Sequence, residues 1–443
     1  MRFFVLAAAL FAAVAVDAQS DGAQQNRIGR SGTFAVTNAR IVPVSGPVIE
    51  NGTIVISAGK ITAVGEGISV PSGAERIDGK GLSVYPGMID AGTALGLAEV
   101  TQGANATMDM TETGTMNANA KAITAVNPHT SHVNVTRVNG ITTVMSAPRG
   151  GLISGQGTVI NLNGATQGDM SVVPEFGLVI NFPRIATFGG FGGGGFGGGQ
   201  AIDFNEAIRR RDNQIDELKK IFRDAQNYAR AREAYAKDNS LPYTAVDLRM
   251  DAMTPYIRGE RPVMLTVERE RDIRAAVNFV KEMSLKGIIV GGQEAHLVAS
   301  ELKANDVAVI YTNIYSLPVR PDDPYDFLFG APGELQRAGV RFAISTGDTG
   351  AEVRDLPYHA GLAGAYGLSR EEALKSVTLY PAQILGVADK MGSLEVGKMA
   401  NVVVTDGDLL DPRTNIKHMF INGRLIPLTS RHTDLFDSFK DRK

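Results

Sequence analysis

A (β/α)8 barrel joined to a small β-sandwich that both chain ends build together is the fold class this sequence predicts. Three observations carry it. Strand-like runs with hairpin turns open the chain, the same texture closes it, and short apolar runs alternating with helical stretches fill the span between. The length of 443 residues suits one barrel plus a smaller domain. Lys+Arg 44 against Asp+Glu 47 gives a net charge of -3, which leaves no electrostatic footprint for nucleic acid. A hydrophobic content of 44% with 21% charged residues excludes wholesale disorder. With Cys 0, a disulfide scaffold, thiolate metal sites, Fe–S clusters and a cysteine nucleophile are excluded together.

The elements follow in chain order. Arg2, the apolar run Phe3 to Val16, and small residues at Val16 and Ala18 predict a signal peptide over residues 1–18. The mature chain would then begin near Gln19 and be exported, to the periplasm in a Gram-negative cell, with no stable membrane span after cleavage. An uncleaved anchor is the other use of such a run. Residues 33–86 alternate strands with turn signals at Asn51-Gly52 and Ala58-Gly59-Lys60, and residues 392–428 return to that texture. Neither end has enough strands to bury its own apolar face, so the two pair into one composite β-sandwich.

Residues 87–391 form the barrel. Strands end or lie at Ser83–Asp90, Ile141–Ser146, Gly177–Asn181, Pro262–Val267, Gly287–Gly291, Val307–Tyr311 and Val340–Ser345. Seven such units leave one barrel strand unplaced. A doubly wound open sheet is the other arrangement, and the missing Gly-x-Gly-x-x-Gly in the first βα turn argues against it. Phe188 to Gly199 is a Gly-rich loop, with no Gly-Lys-Ser/Thr to make it a phosphate loop. Residues 204–237 form a helical insertion with Ile208, Ile215, Leu218, Ile221 and Phe222 on one face. It reads as a lid, an oligomer contact or a solvated helix. Thr107 to Met116 is a long loop after the first strand that lines the mouth or an interface.

Tyr85-Pro-Gly-Met-Ile-Asp-Ala resembles the first-strand signature of the amidohydrolase superfamily. The stretches from Gly367, Thr378 and Met391, with Asn422-Gly-Arg, resemble the end of its imidazolonepropionase-like members, and Ser345-Thr-Gly-Asp-Thr-Gly resembles the last-strand motif. The resemblance implies a metal-dependent-hydrolase barrel that cleaves C–N (non-peptide) bonds of a small amide, cyclic amides included. It also implies a divalent metal such as Zn at the C-terminal barrel face and a catalytic last-strand Asp, here Asp348.

The implied metal ligands are missing. Gly92 and Ala94 stand where the His-x-His pair should be, Thr266 on a later ligand strand, and Gly291 or Gly292 on the next. One carboxylate cannot hold zinc tightly or lower a water pKa to about 7. His129 and His132, three apart on one helix face, and His359 near the last βα loop are the weak alternative ligands. Against them stands a plain helix cap at Thr130 or Ser131 with both imidazoles in solvent, the reading the sequence favours. His296 reads as packing, and His418 and His432 lie away from the mouth. Arg149-Gly-Gly-Leu-Ile-Ser-Gly-Gln-Gly-Thr reads as a tight loop needing positive φ; binding of an anion such as a carboxylate is its other use.

Three functions remain open. One is an active C–N hydrolase with a rearranged metal site. The second is a non-catalytic descendant that binds a small molecule at the barrel mouth or serves as partner subunit in a homo- or hetero-oligomer. The third is a metal-free enzyme with Asp348 as general base. Fold alone does not separate them.

Overall fold

The computed structural model describes residues 27–100, 105–186, 202–312, 314–318 and 320–442; the expected signal peptide and the Gly-rich tract 188–199 lie outside them. Chain-order strands are β1 (Phe34–Ile41), β2 (Ile49–Ser57), β3 (Lys60–Gly65), β4 (Glu75–Asp78), β5 (Ser83–Pro86) and β6 (Met88–Thr93). They continue as β7 (Ile141–Ser146), β8 (Ile153–Gln156), β9 (Thr158–Asn161), β10 (Ser171–Val173), β11 (Leu178–Asn181) and β12 (Val263–Val267). The rest are β13 (Gly287–Gly291), β14 (Ala308–Tyr311), β15 (Phe342–Ile344), β16 (Val402–Thr405), β17 (Ile416–Ile421) and β18 (Arg424–Leu425).

Both chain ends enter one sheet, in the order β18-β17-β16-β5-β1-β2-β3, with β4 also on β1. The seam is the antiparallel pairing of β16 with β5, from Val402 opposite Pro86 to Thr405 opposite Ser83. The sheet curls so that β1 meets β17 across a shared core, and the rings of Phe34 and Phe420 lie 5.2 Å apart. Ala58 and Gly59, at φ of 50° and 81°, make the β2–β3 turn. Asn51-Gly52 does not make the other one. Gly52 sits within β2 opposite Ala39, and a Cβ there would lie 2.6 Å from Ile41 Cδ1. That glycine serves close packing, so its turn-like sequence misleads.

Among the described residues the barrel has seven parallel strands, β6, β7 and β11 to β15. The eighth stave, unplaced by sequence, runs the other way. Residues 153–161 pair antiparallel with β11 through β8 and with β7 through β9, bridging the two arcs. Ile89, Met145, Val179, Met264, Ile288 and Ile310 fill the interior, closed off by Ala382, Leu385, Val387 and Met391. Between β15 and β6, which share no ladder among the described residues, the buried Asp90 carboxylate makes the link. It accepts hydrogen bonds from Ser345 Oγ, Thr346 Oγ1 (2.6 Å), Thr346 N (3.2 Å) and Gly92 N (3.3 Å). Asp90 therefore orients the strand ends.

A 34-residue helix spans Phe204–Lys237, capped by Asp203, which accepts from Asn205 N and Glu206 N. Its apolar face lies on the helix Glu270–Glu282, with Phe222 edge-on to Phe279 at 5.3 Å and Arg211 on the buried Asp272 at 3.2 Å. This places it along the barrel's outer flank. Among the described residues no helix is long and apolar enough to cross a membrane.

Candidate functional site

The strand C-terminal ends define the barrel mouth, and the loop after β15 carries Asp348 into it. The Ala94 amide donates to the Asp348 carbonyl at 3.0 Å, which joins the end of β6 to that loop. The Asp348 carboxylate accepts from Thr349 N, from Thr349 Oγ1 (3.3 Å) and from Gly350 N (3.3 Å). Arg149, in the turn from β7 to β8, donates from Nη2 to the Gly347 carbonyl at 2.7 Å. Desolvation lowers the Arg149 guanidinium pKa, against the opposing pull of Asp348. The Glu352 carboxyl is pushed up because its protonated form bonds the Asp348 carboxylate beside it, and burial pushes Asp355 up.

The candidate histidines sit nearby without forming one site. Thr130 caps the helix Ser131–Arg137, accepting from His132 N at 3.2 Å. His132 is not left in solvent, because its Nε2 meets the Glu99 carbonyl at 2.9 Å and its ring borders Gly350. His129 bonds backbone-first, its amide donating to Asn127 Oδ1 at 3.0 Å. His359, on the helix Leu356–Ala365, is buried against Tyr315 with ring centroids 4.4 Å apart. Burial holds its imidazole down at about 4, so it is neutral near pH 7, with Asp348 pulling the other way. Among the described residues no three His, Asp or Glu side chains form a group able to hold a metal ion.

Where the resemblance would place metal ligands, the glycines have little room for a side chain. A Cβ on Gly92 would lie 2.8 Å from Ser345 Oγ and 3.0 Å from Ile310 Cγ2. Gly291 has φ of +100°, and a Cβ there would lie 2.3 Å from Glu268 Oε1. Gly292, at φ of +67°, would put its Cβ 3.1 Å from Val309 Cγ1. Ala94 is fully buried, and Thr266 faces solvent at the end of β12. A dication needs about three protein donors around an open position. The residues present do not fit one.

Glu268, Glu352 and Tyr315 escaped the sequence reading. Glu268 follows β12 and accepts from Gln293 N at 3.1 Å, so it fills the space beside Gly291. A carboxylate directly after a barrel strand is the one sequence signal that could have drawn attention to it. Glu352 lies on the short 3-10 helix Ala351–Asp355, four residues after Asp348, whereas the turn carrying Tyr315 approaches His359 through tertiary packing.

Comparison with known proteins bears on this arrangement. Residues 268–426 match the profile of the Amidohydrolase family. The chain is 30% identical over 146 residues to "Putative N-acetylgalactosamine-6-phosphate deacetylase" of Escherichia coli (strain K12), covering 31% of this chain and 80% of that protein. It is 37% identical over 82 residues to N-acetylglucosamine-6-phosphate deacetylase of Caenorhabditis elegans, covering 18% of each, so it spans less than a fifth of that relative. In structure it is similar to an amidohydrolase from Thermotoga maritima MSB8, with TM-score 0.77, 25% identity, and coverage of 90% of this chain and 100% of the other.

Proposed function

The chain belongs to the amidohydrolase family, and on that premise we propose that it binds a small amide-bearing molecule at the barrel mouth, cyclic amides included, without the dication-assisted hydrolysis of C–N bonds. The observation that carries this reading is the packing at the ligand positions. Gly92 and Gly291 are closed by Ser345 and Glu268, and the metal centre is read as degenerate. The deacetylase names of the relatives support an amide as the recognised group.

A second reading is favoured by one specific observation. Asp348 lies beside a neutral His359 and a Glu352 whose protonated form it stabilises, which supports a C–N hydrolase with Asp348 as general base. Asp348 would take a proton from water, the hydroxide would add to the amide carbon, and the C–N bond would break as the amine takes up a proton.

The test uses the mature protein expressed with added zinc. Substoichiometric zinc after dialysis against chelator, with saturable thermal stabilisation by small amides and no turnover, supports binding. Turnover lost in Asp348→Asn without stoichiometric metal establishes the second reading. One tightly held zinc per chain, removed by Asp348→Ala and His132→Ala, overturns the degenerate-site reading. We also propose export after cleavage near Gln19; an intact mass retaining residues 1–18 overturns that.

A further inference from the structure

We infer that Arg149 is the specificity-determining residue of the barrel mouth, and that it selects ligands carrying a carboxylate beside the amide, such as small N-acylated acids. The inference rests on the reading of the mouth as a small-molecule site and names the chemistry that site recognises.

The reversed stave puts Arg149 there. In a regular barrel a βα loop would follow β7; here the chain turns within Ala147–Leu152 and runs back down as β8. The turn is fixed at several points. Arg149 N donates to the Met110 carbonyl at 2.6 Å, a bridge joins Arg149 to Thr111, and Gly150 and Gly151 stand at φ of 85° and 65°. The tight loop read from the sequence is real, and it holds the arginine in one place.

What the guanidinium does there is not explained by structure alone. It forms no ion pair among the described residues, whereas Arg211, Arg258 and Arg261 each hold a carboxylate. Its one side-chain hydrogen bond uses Nη2, and no bond is made by Nε or Nη1 among the described residues. The nearby Asp348 Oδ1 is already engaged by the Thr349 and Gly350 amides of its own loop. The residue stays exposed while its charge is partly desolvated. Nη2 keeps a second hydrogen that runs parallel to one on a neighbouring free nitrogen, and such a pair of donors matches a carboxylate bidentately. If Arg149 only fastened the Gly347 carbonyl, a glutamine or lysine donor would serve equally well.

The experiment measures binding of N-acetylglycine, neutral N-acetylglycinamide and inorganic phosphate to wild type, Arg149→Gln and Arg149→Lys, by calorimetry. The variants' circular dichroism and thermal midpoints are compared first. The expected result is that Arg149→Gln weakens N-acetylglycine about 10- to 100-fold, the range for losing a charged hydrogen-bond pair. N-acetylglycinamide should be weak and unchanged by the substitution, with Arg149→Lys intermediate. Equal binding of N-acetylglycine by wild type and Arg149→Gln overturns the inference, and so does a preference for inorganic phosphate. Absence of saturable N-acetylglycine binding to wild type overturns it as well. If N-acetylglycinamide still binds in that case, the mouth reading survives without Arg149; if neither binds, both fall. A variant that does not fold leaves the wild-type comparison of charged and neutral probe to decide.

Discussion

Replacing His359 with phenylalanine should flatten the acid limb of the protein's stability. Burial depresses the imidazole pKa from its ordinary value of 6.5 to about 4 in the fold, with Asp348 opposing the shift. The unfolded chain therefore takes up a proton below pH 6.5 that the native chain refuses. Stability from this group is fully present above pH 6.5 and drains away as pH falls toward 4, below which no more is lost. The shift spans about 2.5 pKa units, and each is worth 1.36 kcal/mol, so the loss is about 3 kcal/mol. Phenylalanine keeps an aromatic ring against Tyr315, now 4.4 Å away, and removes the titration. The assay is denaturant unfolding of both proteins from pH 7 to 4, read as a difference. Subtraction matters because burial also lowers the pKa of His296 and His418. Wild type should lose about 3 kcal/mol more than His359→Phe over that range. Parallel curves, or an imidazole proton resonance of His359 titrating near 6.5, would refute the reasoning.

Three further outcomes are expected. Asp90→Asn should destabilise by about 2 kcal/mol in chemical denaturation, because whichever way the amide turns, the backbone N–H of Gly92 or Thr346 faces an NH2 group; an unchanged midpoint would contradict the stapling role. Gly92→His with Ala94→His should not restore a metal site but cost about 1 to 3 kcal/mol or more through overpacking against Ser345 and Ile310, checked by zinc content and melting temperature together. Deleting residues 400–443 should strip hydrogen-exchange protection from residues 33–86, since β16 lines β5; retained protection there would argue against the shared sheet.

The fold was legible where local pattern and burial coincide. Continuous apolar runs such as Gly287–Gly291 and Val307–Tyr311 belong to strands covered on both faces, and their spacing by helices fixes their parallel direction. The stretch 153–161 was not legible, because Gly155 and Gly157 break its apolar run and strand direction leaves no mark on composition. Gly52 misled for a related reason: a glycine needed for close approach and one needed for a turn look alike in sequence. At the candidate site, Asp348, Arg149 and the Thr130 cap could be read from motif and turn chemistry. The plug that Glu268 makes at Gly291 could not, since it joins residues brought together by neighbouring strands.

The reversed stave also bears on the order in which the barrel assembles. Its pairing with β7 joins Thr143 to Asn161, positions 18 apart in the chain, whereas β11 must find Val263 from Leu178, 85 positions away. By the logarithmic cost of loop closure, the nearer pairing is cheaper by about 1.4 kcal/mol. A barrel made only of crossover units has no such short-range ladder. In this chain a hairpin embedded in the wall favours forming first, and once formed it presents a free edge along residues 153–156 on which β11 can dock. The one stave that departs from the regular pattern is thus the one able to seed the rest of the arc.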